Sequence, residues 1–207
     1  MSATRLKGKP LLKINNTPII CHVVKKAKQA NVGDVIVATE DKEILDAVET
    51  NGGKAFLTKS HKTGTDRIYE GFKKLNPSNI EYVINLQGDE PMIDPLDIIH
   101  LNDLMLKSNS DIGTLAAEIR EDSILKDENI VKVITKEQLN SKNFSKALNF
   151  FRKNSLLKNS NIYHHIGIYI YKVSILEKFI NFKQTKNEID NRLEQLRALD
   201  NNIKIMV

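Results

Sequence analysis

Short β-rich runs alternate with helix-patterned stretches along most of this chain, and that alternation limits its fold more than any other feature. It is the mark of a layered α/β domain. Thr17-Pro18 reads as an N-cap and first helical residue, opening a helix through about Gln29. Val35-Ile-Val-Ala-Thr39 reads as a buried strand. Asp41 caps the next helix, with Ile44, Leu45 and Val48 inward, and Asn51-Gly52-Gly53 stops it. Ala55-Phe56-Leu57 is a short strand, followed by a polar loop and a helix from about Asp66 to Lys74. Tyr82 to Leu86 forms the next strand, and Pro95 opens a helix to about Lys107. Ile112 to Ile119 and Ile130 to Thr135 are two more strands. Residues 137 to 160 read as a loop-rich excursion, Ile162 to Tyr171 as the clearest strand, and Glu188 to Leu199 as a helix. At 207 residues, with no internal repeat and no Pro-, Gly- or Ser-rich linker, one domain over 1–207 is expected.

Composition excludes several classes. Hydrophobic residues make up 41% and charged residues 28%, a balance that suits a folded globular chain rather than a disordered one. The net charge of +5 suggests nucleic acid, but the lysines are scattered among acids and asparagines. There is no arginine stripe and no aromatic–basic interleaving, so no nucleic-acid partner is expected. No apolar run is long enough for membrane insertion, and the first residues carry no hydrophobic leader. A single cysteine, Cys21, excludes a disulfide framework and a thiolate cluster. The expected location is cytoplasmic.

Five segments can carry chemistry. In Asn85-Leu86-Gln87-Gly88-Asp89-Glu90-Pro91 an apolar strand runs into a glycine turn with adjacent carboxylates. Ligands of open α/β sheets sit beyond such strand ends. Asp89 there suits Mg²⁺, a hard ion held by one or two acids plus phosphates, or else belongs to an acidic surface turn. Arg5-Leu-Lys-Gly-Lys-Pro10 places three cations around a glycine, fit for a polyphosphate or for an ordinary basic segment. Lys62-Thr-Gly-Thr-Asp-Arg67 offers a glycine-opened loop to a base, with Thr65 as the alternative cap of the following helix. In Ile162 to Tyr171, period two puts Ile162, His164, Ile166, Ile168 and Ile170 on one face, and Tyr163, His165, Gly167, Tyr169 and Tyr171 on the other. The second face suits a polar ligand or a half-exposed sheet; the adjacent histidines point apart and make a poor metal pair. In the helix from Glu188, Ile189, Leu193 and Leu196 form an apolar stripe flanked by Glu194 and Gln195, as on a surface amphipathic helix.

Taken in order, these segments resemble the 3-deoxy-manno-octulosonate (KDO) cytidylyltransferase family. The stretches that carry the resemblance are Thr4-Arg-Leu-Lys-Gly-Lys-Pro-Leu11, Val35 to Thr39, Thr63-Gly-Thr-Asp-Arg67, Asn85-Leu-Gln-Gly-Asp-Glu-Pro-Met-Ile93, Val131-Lys-Val133, His165-Ile-Gly-Ile-Tyr169 and Leu193-Glu-Gln-Leu-Arg197. The combination of Gln-Gly-Asp-Glu-Pro, His-x-Gly-Ile-Tyr and Leu-Glu-Gln-Leu-Arg is specific; single pieces are not. The resemblance implies a nucleotide-diphospho-sugar transferase-like three-layer α/β/α fold with a mixed, mostly parallel sheet. It implies transfer of CMP from CTP to the anomeric hydroxyl of KDO, with release of pyrophosphate, for lipopolysaccharide biosynthesis, and Mg²⁺ as cofactor. It gives Arg5, Lys9 and Asp89 catalytic roles, with Asp89 the metal ligand. Thr63, Gly64, Thr65, Arg67 and Gln87 would bind nucleotide, and His165, Tyr169, Glu194 and Gln195 the sugar acid. A sialic-acid cytidylyltransferase shares the chemistry; His165 to Tyr169 with Leu193 to Arg197 favours KDO.

The sequence also departs from the family pattern. The family's first strand with Pro-Ala-Arg, its dimer-forming C-terminal strand and its Val-Asp-Thr-Pro segment have no match here. Lys7 stands where the family has proline, and Ser145-Lys146 followed by Leu148-Asn-Phe150 replaces a Ser-Arg and Ile-Pro pattern. The expectation is a chain shortened at both ends, with weak activity or none, the alternative being an inactive or weakly nucleotide-binding fragment, and without the strand through which the family forms homodimers.

Overall fold

Asn15 and Asn16 both adopt positive φ (49° and 63°). This is the conformation a two-residue hairpin turn requires. They join β1 (Lys13–Ile14) to β2 (Thr17–Pro18) in an antiparallel pair. Thr17-Pro18 is therefore strand rather than the helix start expected. Pro18 is the N-cap of α1 (Ile19–Ala30), and Asn31 closes that helix in the left-handed conformation. The described residues of this computed structural model are 8–76, 78–140, 142–153 and 161–207.

The chain packs as two units, one within residues 1–80 and 85–102, the other formed by 81–84 and 103–207. In the first unit, α1 is followed by β3 (Val37–Thr39), α2 (Lys42–Thr50), β4 (Ala55–Leu57) and α3 (Gly64–Leu75). The cap on α2 is as the sequence predicts: the Asp41 carboxylate accepts from the Glu43 N–H at 2.9 Å. β3 and β4 pair in parallel, Val37 opposite Ala55. Ile20, Cys21, Val48 and Ala55 form the core of this region, with Val37, Ile44 and Leu45 packed on it. Gly71 lets α3 lie against β3, since a Cβ there would meet the Ala38 Cβ at 2.8 Å.

α4 (Pro95–Ser108) runs from residues of the first unit into residues of the second. The second unit contains β6 (Ile112–Ala117), α5 (Asp122–Lys126), β7 (Lys132–Thr135), β8 (Ala147–Phe151), β9 (Asn161–Lys172), α6 (Val173–Asn181), α7 (Lys186–Asn191), α8 (Gln195–Asp200) and β10 (Ile205–Met206). β5 (Tyr82–Asn85) adds to β9. The strand order is β10-β6-β9-β7-β8, with β10 parallel to β6 and antiparallel ladders joining β6 to β9, β9 to β7 and β7 to β8. The mixed sheet is as expected. Among the described ladders antiparallel pairing predominates, because the chain reverses direction between β7 and β8 and again between β6 and β9.

Just before β8 the path returns on itself. Lys146 bridges Met206, and Ser145 and Val207 exchange backbone hydrogen bonds at 3.0 and 2.8 Å. β8 corrects the expectation of a loop-rich stretch over 137–160, of which residues 141 and 154–160 lie outside the described residues. Its buried residues, Ala147 and Phe150, are three apart, and the ladder shifts register between Ile134 and Thr135, so no period-two signal survives in the sequence.

The helix expected from Glu188 to Leu199 is broken. Arg192 takes the left-handed conformation (φ 53°), ending α7, and α8 starts at Gln195. Leu193 and Leu196 are buried, but Ile189 is exposed.

Candidate active site

A cation and a carboxylate far apart in sequence meet in the first unit. Gly8 at φ 74° caps a short 3₁₀ turn, Lys9–Leu11. Lys9 Nζ lies 2.8 Å from Asp89 Oδ2, with both side chains partly open to solvent. The segment bearing Asp89 is a pair of tight turns: Glu90 N–H donates to the Gln87 carbonyl and Ile93 N–H to that of Glu90. Gly88 sits hard against α1, where an added Cβ would stand 2.9 Å from Ile20 Cδ1. Burial, then the Asp89 charge, pushes the Glu90 carboxyl above its usual range, with Lys9 opposing. The turn thus pairs a half-exposed carboxylate bound to a cation with a neighbour biased toward its neutral form. Arg5 lies outside the described residues.

Thr63, not Thr65, caps α3. Its hydroxyl accepts from the Asp66 N–H at 3.2 Å and donates to Asp66 Oδ2 at 2.8 Å. The Thr63-x-x-Asp66 spacing, close to a capping box, was the available signal. Gly64 opens the helix, and among the described residues an added Cβ there would meet nothing within 4 Å. Thr65 is buried, and Arg67 donates to Glu40 Oε1 at 2.9 Å. Hydrogen bonds from Arg67 and then Ser60 hold the Glu40 carboxyl below its usual range.

Sequence reasoning missed the group that fixes the loop before α3. Glu70 accepts from the Lys59 N–H (3.0 Å), from His61 Nε2 (2.5 Å) and from Lys74 Nζ (2.8 Å). Lys74, then His61, draws its pKa down to about 2. No motif marks Glu70. It is one turn beyond Asp66 on an ordinary amphipathic helix.

In the second unit β9 carries the expected ring-lined face. His165 contacts Phe150 edge-on (5.1 Å, 83°) and Tyr169 at 5.3 Å; Tyr169 continues to Tyr171 (5.9 Å) and Tyr171 to Phe179 (6.1 Å). Burial, and to a lesser degree His164, pushes the His165 ring down to about 3, so it is neutral at physiological pH. Burial, followed by Tyr171 and Glu194, pushes the Tyr169 phenol well above its usual value. Glu194 and Gln195 stand at the start of α8, whose position is held by a buried pair. Arg197 Nε donates to Glu188 Oε2 at 2.8 Å and its Nη2 to Glu188 Oε1 at 2.5 Å, over the Phe179 ring at 4.8 Å. Thr185 and Glu188 form a reciprocal capping box on α7. Lys132, fully buried, donates to the carbonyls of Asp127 and Ile130 at 2.8 Å each and to that of Arg152.

Among the described residues, no group of three or more His, Cys, Asp or Glu side chains converges as a metal cage. No helix is long and apolar enough to cross a membrane among them.

Known proteins match this arrangement along the whole chain. Residues 1–205 match the family described as Cytidylyltransferase, which makes the protein a nucleotidyl-transferring enzyme by class. A 3-deoxy-manno-octulosonate cytidylyltransferase of Bartonella tribocorum is 43% identical over all of this chain and 85% of its own length. That of Thermodesulfovibrio yellowstonii is 44% identical over 99% of this chain and 85% of its own. The structure of CMP:2-keto-3-deoxy-manno-octonic acid synthetase complexed with CTP superposes with a TM-score of 0.85 at 35% identity, covering 98% of this chain and 83% of that one. The chain belongs to the 3-deoxy-manno-octulosonate cytidylyltransferase family, and its fold is of the nucleotide-diphospho-sugar transferase type.

Proposed function

We propose that this protein transfers the cytidylyl group of CTP to the anomeric hydroxyl of KDO. The hydroxyl oxygen bonds to the α-phosphorus, the bond from that phosphorus to the bridging oxygen breaks, pyrophosphate leaves, and the hydroxyl proton is lost to solvent. The observation that carries this reading is the Lys9–Asp89 pair, formed across the whole first unit by two segments of the family pattern. Lys9, with Arg5, holds phosphate oxygens. Thr63, Gly64, Thr65 and Arg67 accept the cytosine, with Gln87 beside the nucleotide, and the open space over Gly64 fits a ring laid on the backbone. His165, Tyr169, Glu194 and Gln195 receive the sugar acid.

The donor chemistry suits magnesium. Asp89 offers a hard, part-exposed carboxylate with no surrounding cage among the described residues, the setting in which the ion shares its ligands with phosphates. Bound there, Mg²⁺ would offset negative charge on the phosphates as the transfer proceeds. The product is the activated sugar used in lipopolysaccharide assembly, and the reaction belongs to the cytoplasm.

Pyrophosphate release with CTP, Mg²⁺ and either KDO or a sialic acid tests the assignment. KDO-dependent release that falls about 10²- to 10³-fold in Asp89→Asn, the usual scale for losing a group that stabilises developing charge, is the expected result. Turnover of the sialic acid in preference to KDO, or an Asp89→Asn enzyme as fast as wild type, would refute it.

A further inference from the structure

The hydroxyl of Thr114 has three neighbours and one hydrogen. Its Oγ1 lies 2.6 Å from the Ile168 carbonyl oxygen, 3.3 Å from that of Ile166, and 3.0 Å from His165 Nε2. Carbonyl oxygens only accept, and at 2.6 Å the hydroxyl must donate to Ile168, because two unprotonated oxygens at that distance repel. The Oγ1 lone pairs then face Nε2, which must carry the ring hydrogen. With that nitrogen protonated in a neutral ring, Nδ1 is a bare acceptor.

An irregularity in the sheet builds this arrangement. Thr114 pairs with Tyr169 but Leu115 with Ile166, so Gly167 and Ile168 have no partner on β6. The carbonyls of Ile166, the last residue paired before the shift, and of Ile168, inside it, are thereby brought to one buried side chain. Thr114 is fully buried, and the backbone N–H of His165 donates to the Val131 carbonyl at 3.0 Å. The ring is clasped between Phe150 and Tyr169. Among the described residues no hydrogen bond reaches Nδ1.

We propose that Thr114 is a positioning residue that locks His165 in the Nε2–H tautomer, so that Nδ1 accepts a hydrogen bond from a hydroxyl of the sugar acid. His165 therefore reads a hydroxyl rather than pairing, as a cation, with the substrate's carboxylate. The low proton affinity of the buried ring agrees with this. The identity of the sugar acid rests on the cytidylyl-transfer reading; the tautomer does not.

The test uses the full chain labelled with ¹⁵N-histidine. Two-bond ¹H–¹⁵N spectra at neutral pH, with the His165 signals assigned through His165→Gln, show which ring nitrogen carries the proton. An Nε2–H pattern is expected in the wild type, and an Nδ1–H or doubly protonated ring would overturn the proposal. Thr114→Val removes the hydroxyl at nearly constant shape and should raise the KM for KDO about tenfold, the scale of one lost hydrogen bond, while the KM for CTP stays level. Thr114→Ser should restore both the tautomer and the KM. A Thr114→Val enzyme with an unchanged tautomer and unchanged KM for KDO would also overturn the proposal. Absence of turnover in the wild type would sink the cytidylyl-transfer reading alone, leaving the wild-type spectrum to decide the tautomer.

Discussion

Replacing Glu188 by Gln keeps the side chain's shape and removes its charge, taking from the buried Arg197 guanidinium the carboxylate that binds it through two hydrogen bonds. The partners' side chains are 4% and 3% exposed and share two hydrogen bonds, so solvent cannot compensate for the loss. Breaking such a pair from one side costs about 3–5 kcal/mol. The lower end applies here, because Glu194 Oε1 stands 3.9 Å from Arg197 and supplies part of the missing charge. With a urea m-value of about 2 kcal/mol/M, a loss of about 3 kcal/mol moves the midpoint down by roughly 1.5 M. Exchanging both partners for apolar residues, Glu188→Leu with Arg197→Met, should recover more than half of that, since no charge is then left buried. The effect also has a pH signature. Burial alone would raise the Glu188 pKa, but hydrogen bonds from Arg197 and Gln184 outweigh it and the folded value is depressed. The carboxylate's stabilisation is therefore present above its unfolded pKa of about 4.3 and is lost as pH falls through the folded value. The gap between wild type and Glu188→Gln should be level near neutrality and narrow below about pH 4. Equal urea midpoints for the two proteins at pH 7 would refute the reasoning.

Two further substitutions probe packing and hydrogen bonding inside each unit. Gly71→Ala places a methyl 2.8 Å from the Ala38 Cβ; overpacking of about 1–3 kcal/mol, less the roughly 1 kcal/mol that alanine gains in helix propensity, should leave a net loss of up to about 2 kcal/mol in thermal melting, and a stabilised variant would contradict the packing. Lys132→Met fills similar volume but takes the shared donor from the carbonyls of Asp127, Ile130 and Arg152; about 3 kcal/mol should be lost in urea titration, from partners worth about 1–3 kcal/mol each, and an unchanged midpoint would show that water replaces the ammonium.

What the sequence reveals is local chemistry with a fixed period or spacing. The Asp41 cap, the Asn51-Gly52-Gly53 stop and the two faces of β9 all follow from such rules, and the structure has each of them. The Gln87–Pro91 turn was readable because glycine, acids and proline each constrain it. What stays hidden depends on partners distant in the chain. The break at Arg192 carries no glycine, and only the Glu188–Arg197 pair and the burial of Leu193 and Leu196 explain why a continuous helix loses. β8 is invisible because its neighbours, rather than its own alternation, define it. Thr114 looks like any strand threonine until the register shift opposite brings two carbonyls to its hydroxyl.

The reciprocal bonds between Ser145 and Val207 give the second unit a closed circuit of strands. A two-residue strand such as β10 would ordinarily fray, but here it is gripped along both margins, by β6 on one side and by the approach to β8 on the other. Local opening of the excursion between β7 and β8 thus cannot proceed independently of β10. The two regions, about sixty residues apart along the backbone, melt or hold together as one cooperative block.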